Sequence, residues 1–264
     1  MKKVRLDQRV FELGFTESRE RAKTTVMSGV VFVNGQRADK PGMPVDPDAE
    51  IEVRGVALPF VSRGGFKLDK ALKVFPIDPA GKTCIDCGAS TGGFTDVLLQ
   101  HGAAKVYAVD VGYGQLAWKL RNDERVINLE RTNLRYVTEE QIPELLDIAV
   151  MDVSFISVKL VLPAVQRLLK PDADIVCLIK PQFEAGREEV GKKGVVRDSA
   201  VHKEVIRSVL DFAPGIGLTP VGLDFSPIKG PEGNIEYICH LKNGDFAAPQ
   251  LDVDAVVAAS HETL

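Results

Sequence analysis

Two charges close two of the most apolar runs in the chain: Asp152 ends "DIAVMD" and Lys180 ends "DIVCLIK". A charge at the end of such a run costs free energy unless it is paired or used. An acid and an amine on adjacent strands could form a reactive site or a structural ion pair, and spacing alone leaves both open. A second stretch, "KTCIDCGASTGGFTDVLL" from Lys82 to Leu99, lays a CxxC over a glycine-rich turn. On a strand, residues three apart point to opposite faces, so Cys84 and Cys87 cannot share a metal if "TCID" is a strand. No other Cys/His pair stands at zinc-site spacing. A redox CxxC follows its strand at a helix N-terminus, a place held here by glycines. The cysteines therefore read as small buried hydrophobes.

What remains is a strand, a loop of Asp86, Gly88, Ala89, Ser90, Thr91, Gly92, Gly93 and Phe94, and then a helix. Glycines let the backbone turn tightly and let a ligand approach, and the helix N-terminus offers free N–H groups. The spacing is G-x-x-x-G-G rather than the dinucleotide G-x-G-x-x-G, which disfavours a pyrophosphate and a nicotinamide-linked oxidoreductase. The next strand ends in Asp110, seventeen residues after Gly93, where an acid can accept from both hydroxyls of a ribose. A glycine turn followed by such an acid resembles the adenosyl-binding half of S-adenosylmethionine-dependent methyltransferases, with Ser90 where a middle glycine often lies.

These residues need a sheet to hold them. Runs "TCID", "KVYAVD", "RVINL", "DIAVMD" and "DADIVCLIK" alternate with helical stretches expected at 93–101, 115–121, 138–145, 157–169 and 200–212. Such alternation predicts an α/β, Rossmann-like sheet, mostly parallel, with helices on both faces and its ligand at the carboxyl ends of the strands. Beyond Gly217, "LTPVGLDFSPIKGPEGNIEYICHLK" reads as an antiparallel terminal hairpin, and "VDAVVAASHE" as one more short helix. The 264 residues, 45% hydrophobic and 27% charged, suit one large domain plus a small one, divided here as 1–57 and 58–264. A net charge of -4 excludes a global pull toward nucleic acid, so any such surface is local. No stretch approaches a membrane span or a signal peptide, and four cysteines without a framework fit a reducing cytoplasm.

Residues 1–40 carry nine Lys/Arg against five acids. Leu6, Val10 and Leu13 recur at helical spacing, Gly14 supplies a stop, and Ser18 caps a second helix through Met27. "VVFVNGQRA" is a hairpin around Asn-Gly, and "AEIEVRG" is one more strand, which gives a small α+β module. Arg19, Arg21 and Lys23 can reach one phosphate-sized surface, or be ordinary solvated charges. The stretch "RLDQRVFELGFTESRERAKTTVMSGVVFVNGQ" is similar to the small αL RNA-binding domain of a ribosomal small-subunit protein, tyrosyl-tRNA synthetases and pseudouridine synthases. That likeness makes Arg5, Arg19, Arg21, Lys23 and Asn34 RNA-contact candidates.

Together "SRGGFKL", "DCGASTGGFT", "MDVSF", "LIKPQFE" and "GNIEYICHL" resemble the motifs of the TlyA family, ribosomal-RNA 2′-O-methyltransferases with an FtsJ-type catalytic domain. The resemblance runs from residue 3 to about 242. It implies a catalytic tetrad of Lys67, Asp152, Lys180 and Glu236, S-adenosyl-L-methionine as cofactor, Phe155 beside the cofactor adenine, and a cytidine ribose of ribosomal RNA as substrate. Ribosomal RNA is the expected partner, with no DNA, membrane or metal. A ribose hydroxyl is a weak nucleophile that must be positioned and relieved of its proton. Lys180, at the end of the most apolar strand, is the expected base, because burial and a second ammonium at Lys67 both favour a neutral amine. Asp152 and Glu236 then orient the amines and the ribose. Arg187, Lys192, Lys193 and Arg197, on a polar stretch after Lys180, could guide an RNA backbone or be a solvated loop. Two further readings stand beside this one: an RNA-binding assembly factor with an idle methyltransferase domain, and the haemolysin that some family members are called, for which no amphipathic cationic helix is present.

Overall fold

The computed structural model describes the chain except residues 1–2, 14, 17, 28, 48, 55–58, 192–193 and 231–232. The expected stop at Gly14 and the candidates Lys192 and Lys193 lie outside the described residues. Two units divide it, Met1–Pro59 and Phe60–Leu264. In the small unit, β1 (Val4–Arg5) runs into α1 (Leu6–Glu12), followed by α2 (Arg19–Met27), β2 (Val31–Val33), β3 (Gln36–Arg37), β4 (Pro44–Val45) and β5 (Ile51–Val53). Leu6 and Val10 bury one face of α1, and Ala22 and Val26 one face of α2, against Val31, Val33, Val45 and Ile51. The Ser18 hydroxyl accepts the Arg21 N–H, the expected cap. Strands β3, β2 and β5 form one sheet; β1 and β4 pair separately.

In the large unit, α3 (Gly65–Val74) precedes β6 (Thr83–Cys87), α4 (Gly93–Gln100), β7 (Lys105–Val109), α5 (Trp118–Arg121), β8 (Val126–Leu129), β9 (Leu146–Met151), α6 (Leu162–Gln166), β10 (Leu169–Ile179), α7 (Pro181–Glu184), α8 (Ser199–Phe212), β11 (Leu218–Phe225), β12 (Tyr237–Asn243) and α9 (Val253–Thr263). Seven strands make one sheet in the order β11-β12-β10-β9-β6-β7-β8. Strands β6 to β10 are parallel, and β12 is antiparallel to both β10 and β11. One hydrophobic layer covers each face. Cys84 lies in the layer with Leu68, Phe94 and Val150, and Cys87 in the opposite one with Met151, Ile179 and Tyr237. The CxxC therefore straddles the sheet, as period-two alternation requires.

Two expected helices change. Residues 138–145 form turns, because Pro143 cannot donate within a helix and the Gln141 side chain accepts the Thr138 N–H instead. The stretch 157–169 breaks into a 3-10 turn at Val158–Leu160, capped by Ser157, and the short α6, which Pro163 starts afresh. The helix expected from 115 begins at Trp118, whereas α4, α8 and α9 form where expected. In α8, His202, Val205, Ile206 and Val209 bury one stripe and Asp198 caps the start. Among the described residues no helix is long and apolar enough to cross a membrane.

Candidate active site

Chain order reverses between β6 and β9, which places a crevice at their carboxyl ends. Cys87 pairs with Met151, so the next residues, Gly88 and Asp152, leave the sheet side by side. Lys180 follows β10, the neighbour of β9. Glu236 arrives by the opposite route: β12 is antiparallel, so it starts at the edge where the parallel strands end, and Tyr237 pairs with Ile179 beside Lys180. The fourth group comes from α3, whose first turn carries Lys67.

The four side chains meet. Lys67 Nζ donates to Asp152 Oδ2 at 3.1 Å and Glu236 Oε2 at 2.7 Å, and Lys180 Nζ lies 2.6 Å from Asp152 Oδ1 and donates to Ser154 Oγ at 3.0 Å. Both lysines and Glu236 are buried; Asp152 keeps 19% of its side chain exposed and so opens the cluster to solvent. Burial pushes the Lys67 pKa down, but attraction to Asp152 and Glu236 outweighs it and leaves the ammonium raised. Burial likewise raises the Asp152 carboxyl, and the two lysines more than reverse this, holding it below the usual carboxylate range. Every positive charge at the centre thus has a carboxylate against it, and Lys67 has two.

The glycine loop is built for close approach. Gly88 adopts φ +84, and a Cβ there would fall 2.9 Å from the Asp152 carbonyl oxygen. At Gly93 a Cβ would meet Ser62 Oγ at 2.4 Å and the Gly65 nitrogen at 2.9 Å, so a bare residue lets the starts of α3 and α4 touch. That contact sets Lys67 beside Asp152. Asp110 accepts the Ser90 N–H at 2.8 Å and the Gly112 N–H at 2.6 Å, one on each oxygen. Ser90 itself sits at φ 49, doing as a serine what a glycine does more cheaply. Asp86 is buried; Thr95 donates to its Oδ2 through both N–H and hydroxyl, while Oδ1 has no partner. Burial pushes the Asp86 carboxyl up to about 7.

This donor set fits S-adenosylmethionine. The loop from Asp86 to Phe94 contains no Lys or Arg to meet a phosphate, and Asp110, at the tip of β7, suits a ligand with ribose hydroxyls. Among the described residues no His, Cys, Asp or Glu cluster could hold a metal.

Not every candidate stands at the surface of the crevice. Phe94 is 3% exposed and belongs to the core, and Ala89 is buried too, so only their backbones can face a ligand. Gly92 spends its N–H on the Ala89 carbonyl. Thr91 takes the Ala117 N–H on its own carbonyl, tying the loop to α5. Phe155 is 91% exposed at φ 63, its ring centroid 5.1 Å from that of Phe183. In the small unit, Arg5 and Arg19 converge on Asp7, Lys23 pairs with Glu20 at 2.6 Å, and Arg21 lies in the first turn of α2. The Asn34 side-chain oxygen accepts the Glu50 N–H, so that side chain holds the turn. Arg187 and Arg197 show no contact with the tetrad. Sequence reasoning passed over Thr95 on Asp86, Ser154 on Lys180, and Gln182, whose amide donates to Glu236 Oε1 at 3.4 Å. All three lie inside quoted motifs, but none is itself a charged or glycine position of the kind that marked the others.

The family described as FtsJ-like methyltransferase matches residues 60–243, and the S4 domain matches residues 4–51. The Bacillus subtilis protein YqxC is 50% identical over all of this chain and 96% of its own length. The Mycobacterium tuberculosis 16S/23S rRNA (cytidine-2′-O)-methyltransferase TlyA is 47% identical over 91% of this chain and 90% of its own. A solved structure of a Streptococcus thermophilus protein titled as a hemolysin is 48% identical, covers 100% of this chain and 97% of that one, and superposes with a TM-score of 0.81. The tetrad and its glycine loop thus sit in a chain that belongs to the FtsJ-like methyltransferases, in the TlyA group that joins this domain to an S4 domain.

Proposed function

We propose that the chain transfers a methyl group from S-adenosylmethionine to the 2′-oxygen of a cytidine in ribosomal RNA, in the cytoplasm, and that the large unit, taken as residues 58–264, performs the chemistry while residues 1–57 bind RNA. The observation that carries this reading is the meeting of Lys67, Asp152, Lys180 and Glu236 beside the glycine loop. The cofactor, when bound, supplies an electrophilic methyl group on a sulfonium. Asp86, Gly88 to Gly93, the Phe94 backbone and Asp110 line its place, the Asp110 oxygens each having a lone pair left for a ribose hydroxyl, with Phe155 at the adenine.

Lys180, acting from its neutral amine form after giving up one proton to solvent, takes the proton as the 2′-hydroxyl loses it, so the O–H bond breaks and an N–H bond forms at Nζ. Of the two amines it is the one held by a single carboxylate oxygen. Lys67, kept cationic between two carboxylates, stabilises the negative charge that grows on the ribose oxygen. Asp152 orients both amines, and Glu236 fixes Lys67. In the small unit, Arg5, Arg19, Arg21, Lys23 and Asn34 are assigned to RNA.

The test uses the property that a methylated 2′-oxygen resists alkaline cleavage of the following phosphodiester. Purified protein, labelled cofactor and ribosomal subunits should yield alkali-resistant, labelled dinucleotides beginning with cytidine. Label appearing only on a base, or on neither subunit, would overturn the proposal.

A further inference from the structure

Asp7 is an acid on a face assigned to a polyanion, and its side chain is 0% exposed. It sits in the first turn of α1, where its own carboxylate accepts the Gln8 N–H at 3.0 Å. Arg5 grips it from the side, Nε to Oδ1 at 2.9 Å and Nη2 to Oδ2 at 3.0 Å. Arg19, at the start of α2, brings its Nε to 3.6 Å from the same Oδ2. Both arginine side chains stay about half exposed, at 50% and 48%. One buried carboxylate therefore gathers two guanidinium groups from different elements and leaves each with N–H donors directed away from it. Arg5 keeps Nη1, and Arg19 both terminal nitrogens.

Two guanidiniums around one carboxylate carry a net charge of +1 in a fixed geometry, and planar forks of this kind match the oxygens of a phosphate. We propose that Asp7 is a positioning residue that holds Arg5 and Arg19 as a single receptor for one phosphodiester of an RNA backbone. This rests on the reading that the small unit binds RNA. Without Asp7 the two long side chains would sample many rotamers, and ordering them would fall to the binding step.

The sign of one substitution separates positioning from bulk charge. Asp7→Asn removes a negative charge from an RNA-facing surface, so charge alone predicts tighter binding, whereas positioning predicts weaker. Filter binding of the full-length protein to transcribed 16S and 23S ribosomal RNA, from about 50 to about 200 mM salt, reads both affinity and its salt slope. Asp7→Asn should weaken binding about three- to tenfold and reduce the slope by about one, the share of one phosphate. Glu12→Gln, an equal charge change on the exposed side of α1, should leave binding unchanged or slightly tighter. Asp7→Asn binding as tightly as the parent with an unchanged slope would overturn the proposal. If that variant fails to fold, Arg5→Lys decides: the charge stays but one ammonium cannot span both carboxylate oxygens, so undiminished affinity would overturn it equally. Should Arg5→Ala and Arg19→Ala both leave the affinity untouched, it is the assignment of RNA to this unit that fails.

Discussion

Each unit contains an aspartate, buried at Asp7 and mostly buried at Asp152, flanked by two cations, and the two arrangements differ in one respect that decides what they can do. Asp152 holds two lysines whose heads are buried, at 7% and 5% exposure, and Asp7 holds two arginines whose heads are half in water. A lysine amine can lose and regain a proton when its surroundings demand it; a guanidinium cannot. The first cluster is suited to chemistry and the second to holding an anion. A third buried aspartate completes the contrast: Asp86 has a hydroxyl and an N–H but no cation. Its pKa rises through burial, while those of Asp152 and Asp7 fall, the latter through its hydrogen bonds to Arg5. Burial is common to all three, and the neighbouring charge sets the direction.

The sharpest way to break this comparison is Lys180→Met. Methyl transfer should fall by about 10²–10⁴-fold, the usual share of a positioned proton acceptor, with S-adenosylhomocysteine affinity by calorimetry within about twofold. Retained turnover would return Lys180 to the status of a structural ion-pair partner. Lys67→Met should cost about 3–5 kcal/mol in denaturant unfolding, because it strands the buried Glu236 and one side of Asp152. Lys67→Arg should restore part of that stability without restoring turnover, since a guanidinium does not fit a site shaped for an ammonium.

Arg19→Ala should weaken RNA binding by about tenfold at low salt, less at high salt, and leave the melting temperature within about a degree, in keeping with a surface charge. The smallest effects are in pH dependence. Lys67 has a raised pKa, so its contribution is complete below the ordinary lysine value of 10.5 and declines only as pH rises beyond it. Asp152 is lowered from 3.8, and its contribution, present above that value, is lost as pH falls further. Asp86 has the opposite sign: raised from 3.8 to about 7, it makes the fold less stable as pH climbs through that window. In chemical denaturation from pH 4 to 8, Asp86→Asn should remove up to about 1.4 kcal/mol per pH unit of that decline. An identical profile in the variant would show that Asp86 stays ionised throughout.

Asp152 and Lys180 were legible as a pair because β9 and β10 are parallel strands buried on both faces, and their apolar runs stop at a charge. The division of Cys84 and Cys87 between two hydrophobic layers followed from strand alternation alone. Glu236 was different. Nothing local says that β12 enters between β10 and β11, so the residue was reachable only through the likeness of "GNIEYICHL" to a family motif. The two-residue strands β1 and β4 are too short to show periodicity. The helix expected at 138–145 looked reasonable by composition, but one proline and one glutamine side chain were enough to prevent it. Asp7 reads in sequence as an ordinary helix-start acid, and only its burial beneath two arginines reveals more.

The placing of β12 also bears on the order in which the protein is assembled. Strand β11 is made first, yet among the described residues its one neighbour in the sheet is β12, so it has nowhere to settle until the later strand emerges. The two must join the five parallel strands together, as one late-arriving ribbon. Since Glu236 directly precedes β12, the second carboxylate against Lys67 can take its place only after the strands that lead to Asp152 and Lys180 have been made.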